Sequence, residues 1–187
     1  YMIMEVFEPL GMVRSSYDWA HELRPCTAVG YSVFRKPFPT YLYIEAAAAG
    51  LFTTAADLGH MMAAIMNDYS GEQAFLSSAS YGQLFSSPSN FSLGFSVTKL
   101  NGEWIVAHGG SNQGWKSFLV MLPNQRNGIV VLTNSDRGVK LFPELVNAWA
   151  EALTIDYSIR TTSLLGVHGM WGFYLDHILA RIGHLLF

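Results

Sequence analysis

WIVAHGGSNQGWKSFLVML, Trp104 to Leu122, holds two apolar runs separated by His108-Gly109-Gly110-Ser111-Asn112-Gln113-Gly114. Each run has the β-branched and aromatic content of a short strand, and the glycine-rich stretch reads as the break between them. Such a break has two readings. One is a tight connection between neighbouring strands. The other is the wall of an active site. A histidine at the end of a strand, followed by residues without bulk, leaves a strand edge open to a substrate, and the next N–H groups can point into a cleft and hold an oxyanion. On these residues alone the plain turn is the simpler reading.

The same pattern extends on both sides. LGFSVTKL, EWIVAH, WKSFLVML and GIVVLTN are strand candidates, separated by Asn101-Gly102, by Gly109 to Gly114 and by Pro123 to Gly128. Asn-Gly between apolar runs is a hairpin signal, so an antiparallel meander of about four strands is expected. Ile129 to Leu132 is apolar without alternation, which predicts a strand covered on both faces. A packing helix follows, with Pro143 in its first turn and Phe142, Val146, Trp149 and Leu153 along one side.

Upstream the period is helical. Ile3, Val6, Phe7 and Leu10 share a spacing that ends at Pro9, and Val13 to Glu45 is irregular and rich in aromatics. GLFTTAADLGHMMAAIMND is the clearest helix. Thr54 is its expected cap, Asp57 its capping-box partner, and Leu58, Met61, Met62, Ile65 and Met66 its apolar stripe. The methionines read as core filler. Helices, then a meander, then a helix make an α+β layer architecture.

Ser96-Val97-Thr98-Lys99 matches S-x-x-K, a nucleophile-and-base signature of active-site serine hydrolases. That chemistry needs both side chains on one helix face. Within a predicted strand, positions i and i+3 point to opposite faces, so this match is rejected.

Composition narrows the classes. Half of the 187 residues are hydrophobic and 13% are charged, which excludes a disordered chain. A net charge of −3 with no basic block argues against nucleic acid. Cys26 is the sole cysteine, so no internal disulfide and no cysteine metal site is expected. No cofactor is expected either, and His177 and His184 lack the further ligands of a metal site. Residues 155–163 read as a polar linker. Residues 164–187 read as an apolar amphipathic tail, with Trp171, Tyr174, Leu175, Ile178, Ile182 and Leu185 on one face. That tail either docks on the domain or contacts a membrane.

Several segments in order, VFEPLGM, AAGLFTTAADLGHMM and HGGSNQGWKSFLVMLPNQRNGIVVLTNSD, resemble the serine β-lactamase and penicillin-binding-protein family. The likeness is to its class C-like branch of esterases, D-amino-acid peptidases and related hydrolases, and it covers most of residues 1–153. The resemblance implies a β-lactamase/transpeptidase-like fold, here its C-terminal part over residues 1–154. The family has three site elements: S-x-x-K, Y-x-N, and a strand motif that is K-T-G or H-x-G. His108-Gly109-Gly110 matches the third. By that similarity His108 assists proton movement or orients the substrate, and Ser111 supplies an oxyanion donor through its backbone N–H. Gly109 and Gly110 line the substrate strand, and Asn112 and Gln113 border the acyl pocket. Gly109 replaces the hydroxyl residue of K-T-G, which favours an esterase or peptidase over a true β-lactamase.

This sequence has no usable S-x-x-K and no Y-x-N. In the family both precede the EPLGM segment, so they are expected before Tyr1, and the chain is expected to be the C-terminal portion of a longer protein. The resemblance then implies a serine hydrolase acting on a small ester, amide or peptide, exported from a bacterial cytoplasm. The alternative is a non-catalytic ligand-binding, sensor or scaffold relative of the same fold.

Overall fold

The structure is a computed structural model that describes residues 1–19, 23–70, 75–85, 91–100 and 102–153. It divides within the last described helix into two units, Tyr1–Val146 and Asn147–Phe187. The expected linker and the amphipathic tail lie outside the described residues. No described helix is long and apolar enough to cross a membrane.

The first unit is α+β, as expected. A π-helical turn, Ile3–Phe7, opens it, and an irregular segment follows. Then come α1 (Ala46–Ala49), α2 (Ala55–Ser70) and α3 (Ser78–Phe85). The sheet is a pure meander, ordered β1 (Phe91–Ser92), β2 (Phe95–Leu100), β3 (Glu103–Asn112), β4 (Trp115–Leu122) and β5 (Asn127–Thr133). All neighbours are antiparallel. Helix α4 (Leu141–Ala152) follows. The four expected strands are present, and the two-residue β1 is an addition.

Side-chain alternation sorts the sheet into two faces. On one lie Phe95 and Val97 of β2, Trp104, Val106 and His108 of β3, Leu119 and Met121 of β4, and Val130 of β5. Their core section packs on Met62, Ile65 and Met66 of α2, the expected methionine stripe. Each such side chain taken fully out of water contributes about 1.5–3 kcal/mol. On the reverse face Phe118 stacks on Phe142 of α4 at 5.6 Å, and Val146, four residues further along the helix, is also buried.

Two expectations need correction. The strand covered on both faces is β4, where Leu119, Val120, Met121 and Leu122 are all buried; β5 is last in the order, and its Leu132 is exposed. An outermost strand has a neighbour on one side only, so an unbroken apolar run did not fix its place. The cap of α2 also differs. Thr54 Oγ1 accepts the Asp57 N–H at 3.1 Å, as expected of a cap. The Asp57 carboxylate does not return to Thr54. It is buried and accepts the Arg14 N–H at 2.8 Å and the Ser15 hydroxyl at 2.7 Å, tying the irregular segment to the helix start.

Ser96 and Lys99 both lie in β2, three residues apart and therefore on opposite faces, so the rejected S-x-x-K is confirmed as a strand.

Candidate active site

The glycine-rich stretch does not end the strand. β3 runs through His108, Gly109, Gly110 and Ser111 to Asn112, and the turn is Gln113-Gly114, where Gly114 takes φ +77°. This corrects the expectation that His108 stands at a strand end. The pairing shows why the strand continues: His108↔Leu119, Gly110↔Ser117 and Asn112↔Trp115 are in ladder register with β4. A Cβ on Gly110 would run into Ser117 Oγ, so glycine makes room for the facing serine side chain in its present rotamer.

Two hairpins define where the backbone groups of β3 point. Asn112↔Trp115 closes a two-residue loop, which makes it a hydrogen-bonded pair, and Leu100↔Glu103 does the same on the β2 side. By alternation, the even residues of β3 bond to β4 and the odd residues face β2. The β2 register stops at Ser96↔Ala107. Gly109 and Ser111 lie beyond it, with their N–H and C=O directed to that side of the sheet. β3 therefore extends past the end of the β2 register without a break in the strand.

The His108 ring stands on the α2 face, exposed to an open cleft of about 1200 Å³. Phe95 meets it edge-on at 6.1 Å. Among the described residues neither ring nitrogen has a hydrogen-bond partner. Its pKa is lowered from 6.5, because the surrounding walls remove part of the hydration that the imidazolium needs. Neutral imidazole is therefore favoured near pH 7, the form that accepts a proton.

The opposite wall is built by the irregular segment. Ser16 and Phe52 exchange backbone hydrogen bonds at 2.9 Å each, and Trp19 packs on Phe52 at 4.8 Å. A second stretch, Phe38, Tyr41 and Tyr43, forms a chain of tilted ring contacts. Tyr17, Trp19, Tyr41 and Tyr43 of this aromatic-rich segment line the cleft.

The candidate residues separate. His108, Gly110, Ser111 and Asn112 line the cleft, whereas Gly109 and Gln113 do not appear in its lining. Asn112 Nδ2 donates to Ala49 O at 2.8 Å, fastening the end of β3 to α1. Sequence reading passed over Lys116 and Asp136. Lys116 is buried, and its ammonium contacts Asp136 Oδ1 at 2.6 Å and Asn112 O at 2.8 Å. A lysine inside WKSFLVML was the available signal. Among the described residues no group of histidine, cysteine and carboxylate side chains could hold a metal.

Solved structures share this arrangement of helices and sheet. A class C β-lactamase superposes with TM-score 0.64 at 17% identity, over 85% of this chain and 52% of that one. The octameric penicillin-binding protein homologue from Pyrococcus abyssi gives TM-score 0.60 at 22% identity, over 73% and 33%. The β-lactamase/D-alanine carboxypeptidase from Pseudomonas syringae gives 0.52 at 16%, over 78% and 52%. The chain thus spans between a third and about half of these relatives, and identities this low speak to fold alone. No curated protein matches it. The β-lactamase family model matches residues 1–154, most of the sequence, and the chain therefore belongs to the β-lactamase family.

Proposed function

We propose that this chain forms one wall and the oxyanion edge of a serine-hydrolase site that cleaves a small ester, amide or peptide by acyl transfer. The observation that carries the reading is a convergence. The His108 ring opens on the cleft, and three residues on, the Ser111 backbone is directed past the end of β2 on the same border of the sheet.

In the reaction, a serine hydroxyl from outside this sequence attacks the substrate carbonyl. Its proton passes to a neighbouring base, and the carbonyl oxygen becomes an oxyanion held by the Ser111 N–H. Collapse expels the alcohol or amine with a proton, and water then releases the acid. Neutral His108 takes up or returns a proton at the leaving-group side. With Gly109 in place of a hydroxyl residue, esters and peptides are favoured over β-lactams. The proposal extends to location, outside a bacterial cytoplasm with residues 164–187 as a membrane contact, which cell fractionation tests.

A second reading, a non-catalytic binding relative, has in its favour that this sequence carries no Y-x-N and only a strand-borne S-x-x-K. One experiment separates the two. The intact protein is incubated with a fluorophosphonate and assayed on p-nitrophenyl butyrate. Covalent labelling and turnover support acyl transfer, and His108→Ala is expected to lower turnover by roughly a hundredfold with the fold intact. No labelling selects the binding relative, and labelling with unchanged His108→Ala kinetics removes His108 from the chemistry.

A further inference from the structure

We propose that the Lys116–Asp136 ion pair is the positioning device of the oxyanion edge, holding the peptide around Ser111 where the substrate's oxyanion forms. The inference rests on the acyl-transfer reading above.

Lys116 is the cross-strand partner of Ser111 in the β3–β4 ladder. It is 7% exposed, in a strand whose next residues are serine and five apolar side chains. Burying an ammonium costs several kcal/mol even after relaxation, and a well-packed apolar residue in such a place is often as stable or more so. Packing alone does not explain a lysine here. Geometry does.

The contacts form a closed ring. Asp136 Oδ1 accepts the Lys116 ammonium and, at 2.9 Å, the N–H of Gly114 in the turn. The same ammonium donates at 2.8 Å to the carbonyl of Asn112, the residue that follows Ser111. One carboxylate oxygen therefore ties both ends of the Asn112–Trp115 turn. Asp136 is itself anchored, its N–H donating to Tyr31 O at 2.9 Å. Thr133 Oγ1 fixes the Lys116 backbone by donating to its carbonyl at 3.1 Å. On the other side of the strand Asn112 Nδ2 holds Ala49 O. The Ser111–Asn112 peptide is thus gripped from both faces of the sheet, by the Lys116–Asp136 pair on one and by the Asn112 side chain on the other. An oxyanion donor acts only when it is preorganised at the oxygen's final position, and an error near 1 Å costs about a hundredfold.

The test uses the intact protein with Lys116→Met, which keeps the apolar stem, and Asp136→Asn, which keeps an acceptor for Gly114. Sites are counted by fluorophosphonate labelling taken to completion, and kcat on p-nitrophenyl butyrate is expressed per labelled site. The expected result for Lys116→Met is a tenfold to hundredfold lower kcat with KM within about twofold, and a smaller fall for Asp136→Asn. Lys116→Arg, which restores a cation to Asp136, is expected to recover part of the loss. A lower melting temperature with kcat per site unchanged would make the pair merely structural and overturn the proposal. If Lys116→Met does not fold, Asp136→Asn decides, and a kcat within twofold of wild type refutes it. Absence of labelling in the wild type is a different failure, because it removes the acyl-transfer reading itself.

Discussion

Gly114→Ala, compared with Gly102→Ala, measures how tightly the tip of the β3–β4 hairpin is enclosed. Both glycines sit in the left-handed region, at φ +77° and +87°. Alanine there costs about 1–2 kcal/mol at either site from backbone sterics alone. The surroundings differ. A Cβ at 102 meets nothing within 4 Å, whereas at 114 it lies 2.9 Å from Gly30 C, from Tyr31 N and from Phe38 Cδ2. Two of those atoms are backbone and cannot swing aside, so Gly114→Ala adds an overpacking cost of about 1–3 kcal/mol. With a urea slope of about 2 kcal/mol/M, the unfolding midpoint of Gly114→Ala falls roughly 0.5–1.5 M below that of Gly102→Ala. Urea unfolding followed by tryptophan fluorescence reads this directly. Equal midpoints would refute the close approach of the 30–38 segment to the hairpin tip.

Other outcomes follow from the site and its supports. Because burial lowers the His108 pKa, the acid limb of kcat/KM is expected below pH 6.5, and His108→Gln should abolish that limb. The stability effect has the same sign. A histidine whose folded pKa is depressed leaves stability intact above its unfolded pKa and loses it as pH falls from 6.5 towards the folded value, which melting curves across that window would show. Ser111→Ala should leave turnover nearly unchanged while Ser111→Pro, which deletes the N–H, should lower it by roughly a hundredfold; equal losses would contradict a backbone role. Asp57→Ala strands the Arg14 N–H, while the Ser15 hydroxyl keeps Thr53 Oγ1 as a partner, so it should cost about 1–3 kcal/mol in chemical denaturation, and Asp57→Asn distinctly less.

Local chemistry made the meander legible. Short apolar runs marked β2 to β4, Asn101-Gly102 marked a hairpin, and Met62, Ile65 and Met66 marked the buried face of α2. The His-Gly-Gly-Ser stretch misled because glycine has low strand propensity by itself. The partner strand overrides that weakness, since Gly110 opposite Ser117 is a packing fit that no window on β3 alone contains. Lys116 and Asp136 lie 20 residues apart and belong to no motif, so their pairing appears only when β4 and the segment after β5 are brought together. The aromatics of residues 17–43 were visible as a composition, but the Ser16–Phe52 bridge that turns them into a wall was not.

The anchoring of the 29–38 segment has a consequence for the order in which the molecule assembles. The sheet is made of successive hairpins whose loops close locally. The wall instead depends on bonds such as Asn134 Nδ2 to Val29 O, between residues 105 apart in the chain. Closing a loop of that length costs roughly 3 kcal/mol more than closing a four-residue one. The floor of the cleft is therefore the early product of folding, and the wall docks onto it late, at the slow end of the contact-order scale. The same asymmetry runs in reverse under mild denaturant: the wall releases first, and the strand bearing His108 remains in its ladder.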